Sequence, residues 1–278
     1  MSRMSKKKAA AHSKKSSYAA QRRNILNANT GFHIREAFKS LRTNIRFFQS
    51  SEGCRKFCIT SSMASEGKSI TALNLAVTFA EANQRVLLID ADLRRPSLAR
   101  LMIEQASPGL SNVLAGLCTE EEAIRKNVHP NLDVLFSGEI PPNPSELLST
   151  QRFNQMIEKL SADYDYILVD TPPVGIVSDA CLAASALDGV LFLVRQNKTE
   201  KDTLAKSLKQ LQNAGVKVMG FVINGYEDER IGYGKYRYKY RYYKYRHKYT
   251  YESHTKSSGS KSRTAAKTAT ARKRTIKK

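Results

Sequence analysis

The sequence has no run of about 18 apolar residues, the length a membrane-spanning helix requires. Its first 30 residues contain no Asp or Glu. They are basic but have no apolar stretch behind the charges, so they do not read as a secretory signal. Cysteine is scarce. The four, at 54, 58, 118 and 181, lack metal-ligand spacing. Two lie in or beside apolar segments, and reduced core thiols fit that usage. The body shows no internal repeat.

Positive charge is in excess and unevenly placed within the net +21. Residues 1–30 carry eight Lys/Arg, and residues 226–278 carry seventeen against four acids. Residues 31–225 hold 21 of each sign. A neutral body is therefore flanked by a flexible basic arm (1–30) and a tyrosine-rich stretch (226–251). A basic tail without a core pattern, 252–278, follows and reads as disordered. Basic arms bind acidic lipid, nucleic acid or acidic protein faces, or are simply solvated.

Within the body, Ile34, Phe38, Leu41, Ile45 and Phe48 recur at helical spacing, with Glu36, Lys39 and Arg42 on the polar face. Apolar runs predict strands at 56–61, 85–91, 132–136, 164–170, 190–195 and 216–224. Helices are expected at 68–82, 111–116, 119–127, 145–161, 178–187 and 200–214; Thr119 with Glu122 forms a capping-box pattern. Alternating strands and helices predict an α/β fold, a doubly wound and mostly parallel sheet with helices on both faces.

Between the first of those strands and the next helix stands Ser62-Met63-Ala64-Ser65-Glu66-Gly67-Lys68-Ser69. Strand, small-residue loop, Gly-Lys-Ser and helix is the context of a phosphate-binding loop, although Ser62 occupies the place of the usual first glycine. Small side chains let phosphates approach backbone N–H groups, and the helix N-terminus faces them. Lys68 then reaches the β/γ-phosphates and the Ser69 hydroxyl sits on Mg²⁺. Gly-Lys-Ser also occurs in ordinary strand–loop–helix connections. Asp90, Asp92, Asp170 and Asn224 all fall at the carboxyl ends of expected strands, where ligands bind in such folds. Carboxylates there suit Mg²⁺, a hard cation that prefers oxygen ligands. They also suit plain helix capping.

Two stretches, Val86-Leu-Leu-Ile-Asp-Ala-Asp-Leu-Arg-Arg-Pro96 and Ile167-Leu-Val-Asp-Thr-Pro-Pro173, resemble the Walker A′ and Walker B motifs of bacterial tyrosine kinases. Ser137-Gly-Glu-Ile-Pro-Pro-Asn-Pro-Ser-Glu-Leu-Leu148 resembles a further block of that family, and Glu36-Ala-Phe-Lys-Ser-Leu-Arg-Thr-Asn-Ile45 its ring-building helix. Ten of the thirteen tyrosines lie between 226 and 251, interleaved with Lys and Arg. That cluster separates the family from its MinD/ParA-like P-loop relatives.

The resemblance implies an ATP- and Mg²⁺-dependent protein-tyrosine kinase. Ser65, Glu66, Gly67, Lys68, Ser69 and Ile70 would hold the nucleotide, with Asn224 at the adenine. Ser69 and Asp92 would bind the metal, Asp170 would reach it through water, and Asp90 would orient or deprotonate the acceptor hydroxyl. The acceptors would be Tyr233, Tyr236, Tyr238, Tyr240, Tyr242, Tyr243, Tyr245, Tyr249 and Tyr251. Glu36, Lys39 and Arg42 would make contacts in a homo-oligomeric ring.

Further implications are a separate membrane activator, peripheral membrane contact, other tyrosine-containing substrates, and no specific nucleic acid. The place implied is the cytoplasm, at the inner face of the membrane. The process is capsular or extracellular polysaccharide synthesis and export. Departures from the family pattern are Ala64, Ser65, Ile70 and Lys39. A positioning ATPase of the MinD/ParA type is the alternative. Such proteins carry a second lysine early in the loop, where Met63 stands, and lack the tyrosine cluster.

Overall fold

Alternating apolar strands and helices build a seven-stranded sheet in the computed structural model, which describes Tyr18, residues 20–47 and residues 53–226. These all belong to one unit, Met1–Tyr226. Phe48, the acceptor tyrosines from 233 to 251 and the basic tail lie outside the described residues. Helix α1 (Phe32–Phe47) precedes strand β1 (Arg55–Ser61), helix α2 (Lys68–Ala80) and strand β2 (Val86–Asp90). Three short helices follow, α3 (Leu98–Met102), α4 (Leu110–Leu114) and α5 (Glu120–Ala123). Then come β3 (Arg125–His129), β4 (Leu132–Leu135), α6 (Pro144–Leu148), α7 (Gln151–Leu160) and β5 (Tyr166–Asp170). The body closes with α8 (Asp179–Ala184), β6 (Gly189–Arg195), α9 (Lys201–Asn213) and β7 (Val218–Asn224).

The sheet order is β3-β4-β2-β5-β1-β6-β7, parallel except for the β3–β4 pair. Central strands β2 and β5 are buried at every position, as continuous apolar runs covered on both faces must be. Successive residues supply opposite layers. Leu87 and Ile89 join the core under α7, α8 and α9, while Val86 and Leu88 join the core under α2. With the strands parallel and in the middle of the sheet, their carboxyl ends converge on one rim, where the candidate residues lie.

Three local expectations are corrected. The helix expected over 119–127 stops at Ala123: the Thr119–Glu122 capping box starts it, but Ile124 turns extended and Arg125–His129 pair with β4. The helix expected over 145–161 is two, because the Thr150 hydroxyl accepts from Phe153 N and starts a new one. Helix α3 was not anticipated. Its Ser97 and Leu98 amides are held by Asp90, a partner seven or eight residues away.

The segment before α1 also departs from a flexible arm. Residues 20–30 lie against α2, with Ile25 and Leu26 on its core. Asn74, 1% exposed on α2, accepts from Leu26 N (2.9 Å) and donates to Asn24 O (2.8 Å). A buried amide satisfied on both sides is costly to remove. Asn74→Leu is expected to destabilise the chain by ~1–3 kcal/mol, read as a lower urea midpoint. An unchanged midpoint would show that the latch holds nothing.

Candidate active site

The loop from Ser62 to Gly67 joins β1 to α2 by way of two left-handed residues, Ser65 (φ 61°) and Gly67 (φ 103°). Gly67 is required twice. Its backbone angle disfavours a side chain, and a Cβ there would stand 2.2 Å from the Asn224 amide nitrogen. Glu66, fully buried, turns its carboxylate inward to brace the loop, accepting from Met63 N (2.9 Å) and from the Thr199 hydroxyl. Asn224 donates to Glu66 O at 2.8 Å. The amide expected near adenine is thus already engaged with the loop itself. Ser62, where a glycine is usual, is buried with its hydroxyl unpartnered.

Lys68 opens α2 and is 8% exposed. The ends of β2 and β5 lie beside the loop, and their register sets Asp90 opposite Asp170. Both are buried, with very different partners. Asp90 accepts from Asp92 N (3.3 Å), Ser97 N (3.2 Å) and Leu98 N (3.1 Å), so helix capping is part of its role. Neither oxygen of Asp170 has a hydrogen-bond partner. Burial pushes the Asp170 carboxyl up to about 7, against the pull of the Lys68 ammonium and the nearby Ser69 hydroxyl. Burial, and then the Asp170 charge, also push Asp90 well above the usual carboxylate range.

A cavity of about 1230 Å³ opens over this floor, lined by Gly67, Lys68, Ser69, Ile70, Asp92 and Asn224 among others. Residues 21–31 contribute to its walls. Asp90 and Asp170 are absent from the lining and sit beneath it. Among the described residues no three His, Cys, Asp or Glu side chains cluster as a metal cage. Mg²⁺ does not need one, since it keeps waters and is held by one or two carboxylates with substrate phosphates. An unpartnered buried carboxylate, a serine hydroxyl and the partly exposed Asp92 are hard oxygen donors that fit it.

Two groups escaped the sequence reading. Arg94 clasps the fully buried Asp179 at 2.7 and 3.1 Å and donates to Ser145 Oγ at 2.6 Å. It ties the loop after β2 to the starts of α6 and α8. Only its place in the quoted motif hinted at this. Lys198, after β6, donates to the carbonyls of Ala64 and Ser65. No local pattern marks it.

On α1, Lys39 pairs with Glu36 within the helix at 2.9 Å. Arg42 donates to Thr78 O (2.6 Å), one of the last carbonyls of α2. Ile45 is buried, but Ile34 and Phe47 are exposed at 52% and 84%.

A phosphate-binding loop with carboxylates at neighbouring strand ends defines a P-loop nucleotide-binding domain, and the AAA domain family matches residues 55–217. The chain is 40% identical over 190 residues to the tyrosine-protein kinase YwqD of Bacillus subtilis (strain 168), covering 68% of this chain and 80% of that one. The solved structure of the chimerical protein CapA2B2 is similar at 35% identity and TM-score 0.66, covering 69% of this chain and 85% of that one. The septum site-determining protein MinD of Pyrococcus horikoshii OT3, solved with Mg-ADP, shares the fold at 26% identity and TM-score 0.55, over 64% and 73% of the two chains. The chain belongs to the bacterial tyrosine-protein kinase family, a class of enzymes.

The Asp170 environment predicts a pH dependence. Without ligand, its carboxyl keeps a proton up to about pH 7, whereas in the unfolded chain it ionises near 4. The folded state therefore holds the extra proton in that window, and stability falls as pH rises from about 4 to about 7. Asp170→Asn removes this penalty. The ligand-free variant is expected to melt above wild type at about pH 8 and to lose that advantage towards about pH 5. A variant that melts below wild type at the higher pH would contradict the buried, unpartnered placement.

Proposed function

We propose that this kinase transfers the γ-phosphoryl group of ATP to tyrosines, its own cluster from Tyr233 to Tyr251 included, and thereby regulates synthesis and export of capsular or extracellular polysaccharide. The observation that carries this reading is the unpartnered, buried Asp170 beneath Lys68 and Ser69. It is a site short of a cation, in a chain whose downstream sequence offers ten tyrosines between 226 and 251.

Phosphoryl transfer is mostly positioning and charge neutralisation. The backbone from Ser65 to Ile70 cradles the phosphates, and Lys68 offsets their charge. Ser69 and Asp92 would hold the metal, with Asp170 reaching it through water, and Mg²⁺ when bound would supply positive charge against the phosphates. Asp90 orients the acceptor hydroxyl or takes its proton, and Asn224 joins the adenine side of the site. A tyrosine with an ordinary pKa near 10 needs alignment more than early deprotonation.

The alternation Tyr236-Arg237-Tyr238-Lys239-Tyr240-Arg241-Tyr242 places a cation beside each hydroxyl. These cations steer the tail into a neighbour's acidic site. Each phosphate adds about −1.5 to −2, so seven would bring the +13 of residues 226–278 close to neutral. Phosphorylation thereby loosens a ring built through α1, with Glu36, Lys39 and Arg42 at its contacts. The exposed Ile34 and Phe47 supply apolar surface for that ring, which exposed ion pairs alone would not stabilise.

Among the described residues no helix is long and apolar enough to cross a membrane. Activation by a separate membrane protein, which recruits the kinase to the inner membrane face from the cytoplasm, accords with this. A positioning ATPase is the second reading, favoured by the likeness to MinD.

The test mixes a full-length Lys68→Met chain, which alone should lose at least roughly 10³-fold in labelling, with an active chain whose nine cluster tyrosines from Tyr233 to Tyr251 are Phe. Phosphotyrosine on the Lys68→Met chain is the expected result and establishes transfer in trans. ATP hydrolysis without phosphotyrosine in any mixture, wild type included, would favour the positioning ATPase.

A further inference from the structure

The carbonyls of the loop before Lys68 are held one after another. Met63 O accepts from the Ser61 hydroxyl at 2.9 Å. Ala64 O and Ser65 O both accept from Lys198 Nζ, at 3.3 and 3.0 Å. Glu66 O accepts from Asn224 at 2.8 Å, and Gly67 O from Thr71 N at 2.9 Å. Every carbonyl from Met63 to Gly67 therefore has a fixed partner.

In a trans peptide the C=O and the N–H of the next residue point in opposite directions. Fixing a carbonyl on the outer side of the loop turns the following N–H to the inner side. Lys198 thus sets the N–H groups of Ser65 and Glu66, and Asn224 sets that of Gly67. Ser65 is the residue for which this matters most. Its φ of 61° is unfavourable for anything but glycine, asparagine or aspartate. A serine there leaves the two adjoining peptides in need of an external hold. Successive N–H groups around a left-handed residue form the concave nest that binds anions.

Lys198 comes from the turn after β6, and its neighbour Thr199 ties the same turn to the loop. The Thr199 hydroxyl donates to Glu66 and accepts from Arg195 N at 2.9 Å. Lys198 itself is exposed, and its turn is held to the loop through Thr199.

We propose that Lys198 is a positioning residue for phosphate binding: by holding the Ala64 and Ser65 carbonyls outward, it aims the Ser65 and Glu66 N–H groups at the nucleotide phosphates. The inference rests on the nucleotide-binding reading of the loop and adds to it a residue from a different strand end. It also gives a chemical reason why a loop with Ser65 rather than glycine keeps its shape.

The test compares full-length wild type, Lys198→Met and Lys198→Arg for binding of Mg·ADP by titration calorimetry, with melting of each chain without nucleotide. Loss of two hydrogen bonds from a charged donor should weaken binding of Mg·ADP about tenfold or more in Lys198→Met. The melting temperature without nucleotide should stay at the wild-type value, and Lys198→Arg should recover most of the affinity, since a guanidinium can also span two carbonyls. Wild-type affinity in Lys198→Met would overturn the proposal. So would a nucleotide-free melting temperature well below wild type, which would make the residue a general stabiliser. So would an arginine variant as weak as the methionine one. Failure of wild type itself to bind Mg·ADP would instead overturn the nucleotide-binding reading, and the proposal with it.

Discussion

Two carboxylates end adjacent parallel strands in the same register, Asp90 on β2 and Asp170 on β5, both removed from water. Like charges so placed cannot both ionise without a compensating cation. The fold answers this conflict only in part. Three backbone N–H groups converge on Asp90, and in doing so they fix the turn from Asp92 to Leu98 and start α3. Even so, burial and the Asp170 charge push Asp90 well above the usual carboxylate range, and burial pushes Asp170, whose side chain accepts no backbone N–H, up to about 7. Lys68 above the pair is the protein's own partial answer. The remainder would be met by the Mg²⁺ of the proposed nucleotide complex, whose phosphates the loop would take.

The rest of the architecture serves that constraint. Fully buried central strands place the pair in register, because a slip of one residue would turn every core side chain to the wrong layer. Arg94, locked on the buried Asp179 and on Ser145, keeps the loop after β2 from drifting away from the site. The segment 20–30, latched to Asn74, raises a wall beside the loop. Loop, wall and floor are each tied to α2 or to a strand end, so the site's geometry is a property of the sheet rather than of flexible connections.

Much of this was legible in the sequence. The continuous apolar runs Val86–Ile89 and Tyr166–Val169 gave parallel central strands, and the residues that follow them gave the acidic floor. Gly67-Lys68-Ser69 between a strand and a helix gave the loop. Short elements were not legible. Helix α3 depends on Asp90, and the break before α7 on a single Thr150 hydroxyl, neither of which changes the apolar period. Edge strand β3 carries Arg125, Lys126 and Asn127, a polar run that cannot be told from the end of a helix. Long-range anchors were hidden for another reason. Lys198 reaches carbonyls more than 130 residues away, and Asn74 latches a strap some 50 residues upstream. Nothing in their local sequence distinguishes either from an ordinary helical or turn residue.

In the proposed site the buried carboxylates keep a proton until the Mg²⁺ of the nucleotide complex arrives. Calorimetric titration of Mg·ADP into the ligand-free chain at about pH 7, repeated in buffers of different ionisation enthalpy, counts the protons exchanged on binding. Release of about half a proton to one proton per site is expected from wild type, and less from Asp170→Asn, in which only Asp90 of the pair can give one up. Binding of Mg·ADP to wild type without proton release would show instead that Asp170 is already ionised in the free protein.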